Sequence, residues 1–432
     1  MENDHLKIVD GSTVAVIGGG PAGSAAAIKL IKEAAKKGIK IKVVVFEGKD
    51  FDRHYNQCVG VLSHPIVEIF EERLEMPFPE HLIKREISSY MLYSATNSVL
   101  ELSGEKGTYA TRRILFDRFM LQTAQDLGAE VTRSRVTDIE FNDSGVKIYA
   151  EDKFLRADAV VGAFGLDDGI MAVMEHASSN VFAYKRPPKV LDTLVVKAHI
   201  DLKILQERFG SRIHAFIPLE LKNIEFGAIT PKGDHIIINI AGRNLTSSDM
   251  DNFLGYPPVR VLLKGLNLAG LDYYKGKYPI RPAQRIIGDR FAAAGDATGL
   301  IRPYKGKGIN VALETGAKAA EIMIKNGISA SDLSAYPAAF DHLRADFFYG
   351  RLFRLLVMLS IKTGFVEQVI GMAKNDPHLR NVLFKVVSGE GTYREVIREI
   401  ADIKEFSKLG YGFFRHLPAS VFRTKSFEGI DR

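Results

Sequence analysis

The stretch Thr13-Val-Ala-Val-Ile-Gly-Gly-Gly-Pro-Ala-Gly23 decides how the chain is read. Thr13 to Ile17 is a β-branched run of the kind buried in parallel sheets, and Gly18, Gly20 and Gly23 fall at G-x-G-x-x-G spacing. Ser24 to Lys37 carries helical periodicity. Each glycine meets a separate demand. Gly18 allows a tight turn, Gly20 lets the backbone approach a pyrophosphate, and Gly23 lets helix and strand pack closely, helped by Ala25, Ala26 and Ala27. With Pro21 and Ala22 at the turn into the helix, its free N–H groups and positive dipole end face the phosphates. Gly38 stops the helix, Ile41 to Phe46 gives a second strand, and Glu47 stands at its end. A carboxylate there accepts both ribose hydroxyls of an adenosine and repels a 2′-phosphate, so the pattern predicts FAD or NAD rather than NADP.

A chain of 432 residues with 46% hydrophobic content can bury one large core or two to three interleaved ones, which makes an α/β protein the default. The net charge of +6 permits attraction to an anionic membrane surface, and no nucleic-acid partner is expected. The single cysteine, Cys58, excludes an internal disulfide and any cysteine-ligated cluster or zinc. No metal site is expected, and the composition fits a reducing, cytoplasmic location. The acidic start Met1-Glu-Asn-Asp-His lacks the apolar core of a signal peptide, and no apolar run approaches the ~18–20 residues of a membrane span.

Beyond Glu47, Arg53-His-Tyr-Asn-Gln-Cys58-Val-Gly60 reads as a polar loop leading to a helix over Pro65 to Leu74. Arg113 opens a helix that runs through Phe116, Asp117 and Leu121 and stops at Gly128. Val131 to Ala150 alternates as short strands do, and Ala157 to Gly165 reads as another buried strand. From Val181 to Tyr278 helical periodicity is lost, and Leu194–Ile200, Ile213–Pro218, Ile224–Thr230 and His235–Ile240 read as strands of an inserted mixed sheet that roofs a substrate. After Ser331 the chain reads as mostly helical, with an apolar stripe at Phe348, Leu352, Leu355, Leu356 and Leu359 expected to pack on the core, membrane contact being the alternative. The aromatic and basic tail around Tyr411 to His416 and Val421 to Lys425 suits either a membrane surface or the protein itself.

A second stretch, Phe291-Ala-Ala-Ala-Gly295-Asp296 through Pro303, Gly306, Lys307, Gly308 and Ile309 to Gly316, reads as strand, loop and helix. Asp296 at a strand end can accept a ribityl hydroxyl. Gly306 and Gly308 let backbone amides reach the pyrimidine edge of a flavin, and the helix points its positive end at N1/O2.

These motifs together resemble the FAD-dependent oxidoreductases of the para-hydroxybenzoate hydroxylase fold, and within them the geranylgeranyl reductase family. The likeness rests on Gly18, Gly20, Gly23 and Glu47, on the Cys58/Gly60 loop, on Arg113, Phe116 and Asp117, and on Gly295, Asp296, Pro303, Gly306, Gly308 and Ile309. It implies a glutathione-reductase-like FAD-binding Rossmann domain (1–53, 103–178 and 279–330) interleaved with a mixed-sheet substrate domain (54–102 and 179–278), and a C-terminal helical region (331–432). It further implies that Arg113 lies near the cofactor and Cys58 near a reacting double bond. Two departures matter. Phe164-Gly165 stands where the superfamily has Asp-Gly. The aromatic substrate motif appears as Phe226, Ala228, Thr230 and Pro231, with alanine and threonine in place of tryptophan and phenylalanine, which predicts a reshaped cavity.

The expected activity is hydride transfer from reduced FAD to a carbon–carbon double bond of an isoprenoid or other apolar lipid-like substrate, with NADPH, NADH or ferredoxin as electron donor. A redox partner and peripheral membrane contact through the C-terminal region accompany it. Two alternatives stay open: a class A flavin monooxygenase acting on an aromatic or quinone-like substrate, and a non-catalytic prenyl-lipid carrier on the same fold.

Overall fold

The run Thr13–Ile17 is a strand at the centre of a six-stranded sheet in the computed structural model, which describes residues 6–51, 58–94, 99–218, 220–268, 270–301, 307–362 and 365–401. The sheet order is Ile287–Gly288, Phe291–Ala293, Ala159–Gly162, Thr13–Ile17, Lys42–Phe46 and Glu130–Thr132. All pairs are parallel except the first. Val14, Ala15 and Val16 are fully buried, as a strand covered on both faces requires. The helices Pro21–Lys36 and Gly308–Lys325 pack on one another so closely that a Cβ on Gly316 would stand 2.0 Å from the Ala22 carbonyl oxygen. A three-stranded sheet, Val136–Asn142, Gly145–Ala150 and Phe154–Ala157, adjoins this core, where Phe141 meets Phe182 and Phe291 edge to face.

The second sheet has eight strands in the order Tyr273–Pro279, Val190–His199, His235–Gly242, Ile224–Pro231, Arg212–Phe216, Ile83–Tyr93, Val99–Thr111 and Val61–Ser63. One face, with Ile229, Ile236 and Ile238, is covered by Met250, Phe253 and Val259. These belong to the helices Ser247–Gly255 and Pro257–Leu262, in a region expected to be free of helices. They are short and bury few apolar residues, so no helical period shows; the Thr246/Asp249 capping box and Pro257 were the available signals.

The opposite face carries Ile87, Tyr90, Leu92 and Ile213 against Ile370, Leu379, Phe384 and Val387 of the C-terminal helices. The ring of Phe384 lies over Gly104, whose Cβ would be 2.0 Å from it, so only glycine admits the ring and its apolar burial of about 1.5–3 kcal/mol. The helix Asp341–Lys362 corrects the expected stripe. Phe347 and Phe353 are buried, whereas Phe348 is 67% exposed and Leu352 and Leu356 each 38%. Arg354 turns inward instead and pairs with Glu225. The expected helix over Pro65 to Leu74 is present, but after one α turn (Ile66–Glu68) it widens into a π turn, Ile69–Arg73. The aromatic and basic tail lies outside the described residues.

Candidate active site

At the nucleotide end, Gly18 has φ +102°, and a Cβ there would stand 2.4 Å from the Ala163 carbonyl oxygen. A Cβ on Gly23 would fall 1.7 Å from the Gly18 oxygen, so the turn closes only with glycine at both positions. Gly20 differs: nothing lies within 4 Å of its Cβ direction, and it faces open space. It is the N-cap of the helix Pro21–Lys36, which has no side-chain cap and no acidic residue in its first turn, so its leading N–H groups are left for a ligand. Ala22 is buried behind them. Glu47 sits at the strand end as expected, with an arrangement the sequence did not reveal. Its Oε2 accepts the Gly19 N–H at 2.8 Å and its Oε1 the Lys49 N–H at 2.7 Å, which aims the carboxylate and leaves each oxygen a lone pair.

At the other end, Gly295–Thr298 forms a 3₁₀ turn in which Gly295, Ala297 and Thr298 are buried and Asp296 is half-buried. Burial pushes its carboxyl pKa up and Arg113 opposes that, yet among the described residues no protein group hydrogen-bonds to it. Gly308 lies close by, since a Cβ there would be 3.2 Å from the Asp296 Oδ1. It begins the helix Gly308–Lys325, which also lacks a side-chain cap and a first-turn acid. Ile309 is buried beside it. Lys307 donates to the Ser63 hydroxyl at 2.6 Å and Asn310 to the Ser63 carbonyl at 2.9 Å, tying the helix start to the second sheet. Pro303 and Gly306 lie outside the described residues.

Cys58 and Arg113 come together between these ends. The Cys58 Sγ accepts the Gly60 N–H at 3.4 Å. Gly60 has φ +69°, and its carbonyl oxygen accepts the Thr111 N–H at 2.8 Å. Arg113, first residue of the helix Arg113–Asp126, donates to the Asp117 Oδ1 at 2.6 Å. Burial works against its charge, but Asp117 and Cys58 outweigh it and raise its pKa. The Phe164 ring is buried and meets Tyr184 edge to face, so an apolar contact occupies the position of the missing carboxylate.

Phe226, Ala228 and Thr230 share one face of the strand Ile224–Pro231 with Asn239 and Ala241 of its neighbour. Phe226 and Ala241 pack with Ile301, so this face abuts the cofactor-side loop. Pro231 falls with Gly227 and Ile229 on the opposite face, where the Phe253 ring covers Gly227, and so stands apart from the other three. Sequence reading missed Asn239, whose buried Oδ1 has no partner among the described residues, as well as Ser63, Asn310 and Lys232. The shared register with Phe226 and Ala228 was the signal for Asn239. One group, His199, Asp234 and His235, brings possible metal-ligand atoms within 4.8 Å of one another. Arg112 already donates to both Asp234 oxygens at 2.9 Å, so a cation would have to displace a guanidinium.

The residues fit FAD. Two helix starts without side-chain caps, open space at Gly20 and a desolvated Asp296 with no hydrogen-bond donor among the described residues form a cradle for a pyrophosphate and a polyol chain.

No family model matches the chain. The chain is similar to a chloroplastic geranylgeranyl diphosphate reductase of Oryza sativa, 25% identical over 358 residues that cover 76% of this chain and 71% of the relative. It is 26% identical over 353 residues to a digeranylgeranylglycerophospholipid reductase of Methanopyrus kandleri, covering 75% of this chain and 80% of that one. Among solved structures, a geranylgeranyl bacteriochlorophyll reductase-like protein of Thermoplasma acidophilum superposes with a TM-score of 0.69 at 18% identity, over 94% of this chain and 100% of that one. A flavin-dependent brominase superposes at 0.64 with 15% identity, over 91% and 98%. The expected likeness and the expected flavoprotein fold are both borne out.

Proposed function

We propose that this FAD-dependent oxidoreductase saturates carbon–carbon double bonds in an isoprenoid or similarly apolar lipid chain. The observation that carries the reading is the sheet face of Phe226, Ala228 and Thr230, which runs from Ile301 at the cofactor loop toward the Cys58/Gly60 loop. Such a face suits a long apolar ligand laid across the redox centre, and the relatives' names supply the chemistry of that ligand. In this reading residues 1–53, 103–178 and 279–330 hold the cofactor, and 54–102 and 179–278 hold the substrate.

Bound FAD, once reduced, supplies the hydride. The helix starts at Pro21 and Gly308 bind its anionic parts, and Glu47 and Asp296 accept hydroxyls of the ribose and the ribityl chain. Ala228 and Thr230 put small side chains on this sheet face, where the tryptophan and phenylalanine of the resembled motif would stand. Cys58 holds the proton for the second carbon. The exposed stripe Phe348, Leu352 and Leu356 supports peripheral contact with the lipid surface where such a substrate resides. Among the described residues no helix is long and apolar enough to cross a membrane.

The test is anaerobic: protein reduced with dithionite, mixed with a polyprenyl lipid extract, and the lipids weighed by mass spectrometry. Flavin reoxidation with lipids gaining a hydrogen pair per reduced bond is the expected result. Flavin that stays reduced until oxygen is admitted would move the hydroxylase reading forward, and a colourless protein would remove both. Repeating the reduction with NADPH, NADH and reduced ferredoxin identifies the donor.

A further inference from the structure

Two lysines among the described residues are buried, and they are treated differently. Lys29 is 6% exposed and pairs with Glu33 at 2.9 Å and with Glu75. Lys232 is 1% exposed, and among the described residues it has no carboxylate partner. It follows Pro231 and so continues the face of Phe226, Ala228 and Thr230. Its backbone is pinned at both ends, by its N–H on the His235 carbonyl at 2.8 Å and by its carbonyl under the Arg85 Nε at 2.8 Å. Its Nζ donates to the Gly60 carbonyl at 2.8 Å, which sets the ammonium within electrostatic reach of Cys58. An ammonium carries three donors, and the hydrogen bond to Gly60 uses one of them.

The surrounding charges come from several elements. Cys58 lies in the facing loop, Arg113 and Asp117 on the adjoining helix, Arg85 at the carbonyl, and Arg112 with Asp234 at the hairpin. Burial lowers the Lys232 pKa to about 7, opposed only by Cys58. A fixed surface lysine would hold its proton under all physiological conditions, whereas this one can release it.

We propose that Lys232 is the proton source behind Cys58. The step rests on the reductase reading above. A hydride from reduced FAD forms a C–H bond at one alkene carbon while the π electron pair takes the Cys58 S–H proton at the other. The sulfur anion then takes a proton from the Lys232 ammonium, and the amine is reprotonated from solvent. Lys232 is thus a positioning residue that acts through the thiol.

The experiment uses the purified full chain with its flavin, whose one cysteine makes alkylation by iodoacetamide, followed by intact mass, a direct report on Cys58. A neighbouring cation favours the reactive sulfur anion, so Lys232→Met is expected to slow alkylation about tenfold at mildly acidic pH, and Lys232→Arg to keep it within about twofold of the parent. Lys232→Gln retains a donor for the Gly60 carbonyl without the charge and is expected to follow Lys232→Met. It also decides the matter if Lys232→Met loses flavin or folds poorly. Alkylation of Lys232→Gln at the parent rate across the pH profile would reduce Lys232 to a structural pin and overturn the proposal. The rates do not depend on lipid reduction, so an alkylation effect without reductase activity would remove the substrate reading alone.

Discussion

The two long helices that begin at the cofactor cradle differ from three helices that begin elsewhere. Asp167 caps the helix Asp168–Ala177 by accepting the Gly169 and Ile170 N–H groups at 3.0 and 3.2 Å, and Asp376 does the same for Pro377–Ser388 at 2.9 and 3.1 Å. The helix Ser247–Gly255 has a capping box. Pro21–Lys36 and Gly308–Lys325, two long helices of the first core, begin at Gly20 and Lys307 with no side-chain cap. A missing cap costs about 1 kcal/mol. The difference separates helix starts that the chain caps with its own side chains from two that it does not, as the proposed flavin site requires.

The comparison can be broken most severely at Gly23. Gly23→Val drives a branched side chain into the Gly18 carbonyl, and the expected outcome is loss of flavin and a melting temperature lowered by many degrees, read from absorbance and thermal unfolding. Gly20→Asp sharpens it. The added carboxylate has open space and caps the helix, so the apoprotein should be at least as stable as the parent, while FAD should bind about 30-fold more weakly, some 2 kcal/mol, in a flavin titration. Asp167→Ala is the converse: about 1 kcal/mol of stability lost in urea unfolding with flavin affinity unchanged.

The smallest effect concerns pH. Burial acts to raise the Asp249 pKa, but hydrogen bonds from the Thr246 N–H and hydroxyl and from Asn223 outweigh it and hold it below its ordinary 3.8. A carboxyl depressed in the fold stabilises above its unfolded pKa and loses that contribution as pH falls through the folded one. Amide exchange in Ser247–Gly255 should therefore lose protection under strong acid, at a pH where Pro21–Lys36, which has no titrating cap, is unaffected by this cause.

The strand ends and helix starts of the first core were legible because they are written in consecutive residues. Gly18, Gly20, Gly23 and Glu47 lie within one strand–helix–strand unit, and Asp296 and Gly308 lie within a second, so spacing alone locates them. The substrate side was read less well because its contacts join distant parts of the chain. Lys232 meets Gly60 across 172 residues, and a lysine in a Pro-Lys-Gly-Asp turn looks solvated until the second sheet closes over it. The stripe at Phe348 failed for another reason. Several faces of the helix Asp341–Lys362 carry apolar residues, and which one packs is decided by Phe353 meeting Val382, Val386 and Tyr393.

The strand order of the first sheet has a consequence for biogenesis. Thr13–Ile17 and Lys42–Phe46 leave the ribosome early, but their neighbours Ala159–Gly162 and Phe291–Ala293 are made much later, as are Asp296 and the helix start at Gly308. A nascent chain therefore carries valine-rich, half-paired strands through most of its synthesis, a state in which unpaired edges invite misassembly. Flavin cannot be gripped from both ends until that delay is over, which makes loading a late event and makes free FAD in the cell a factor in how much of the newly made protein survives.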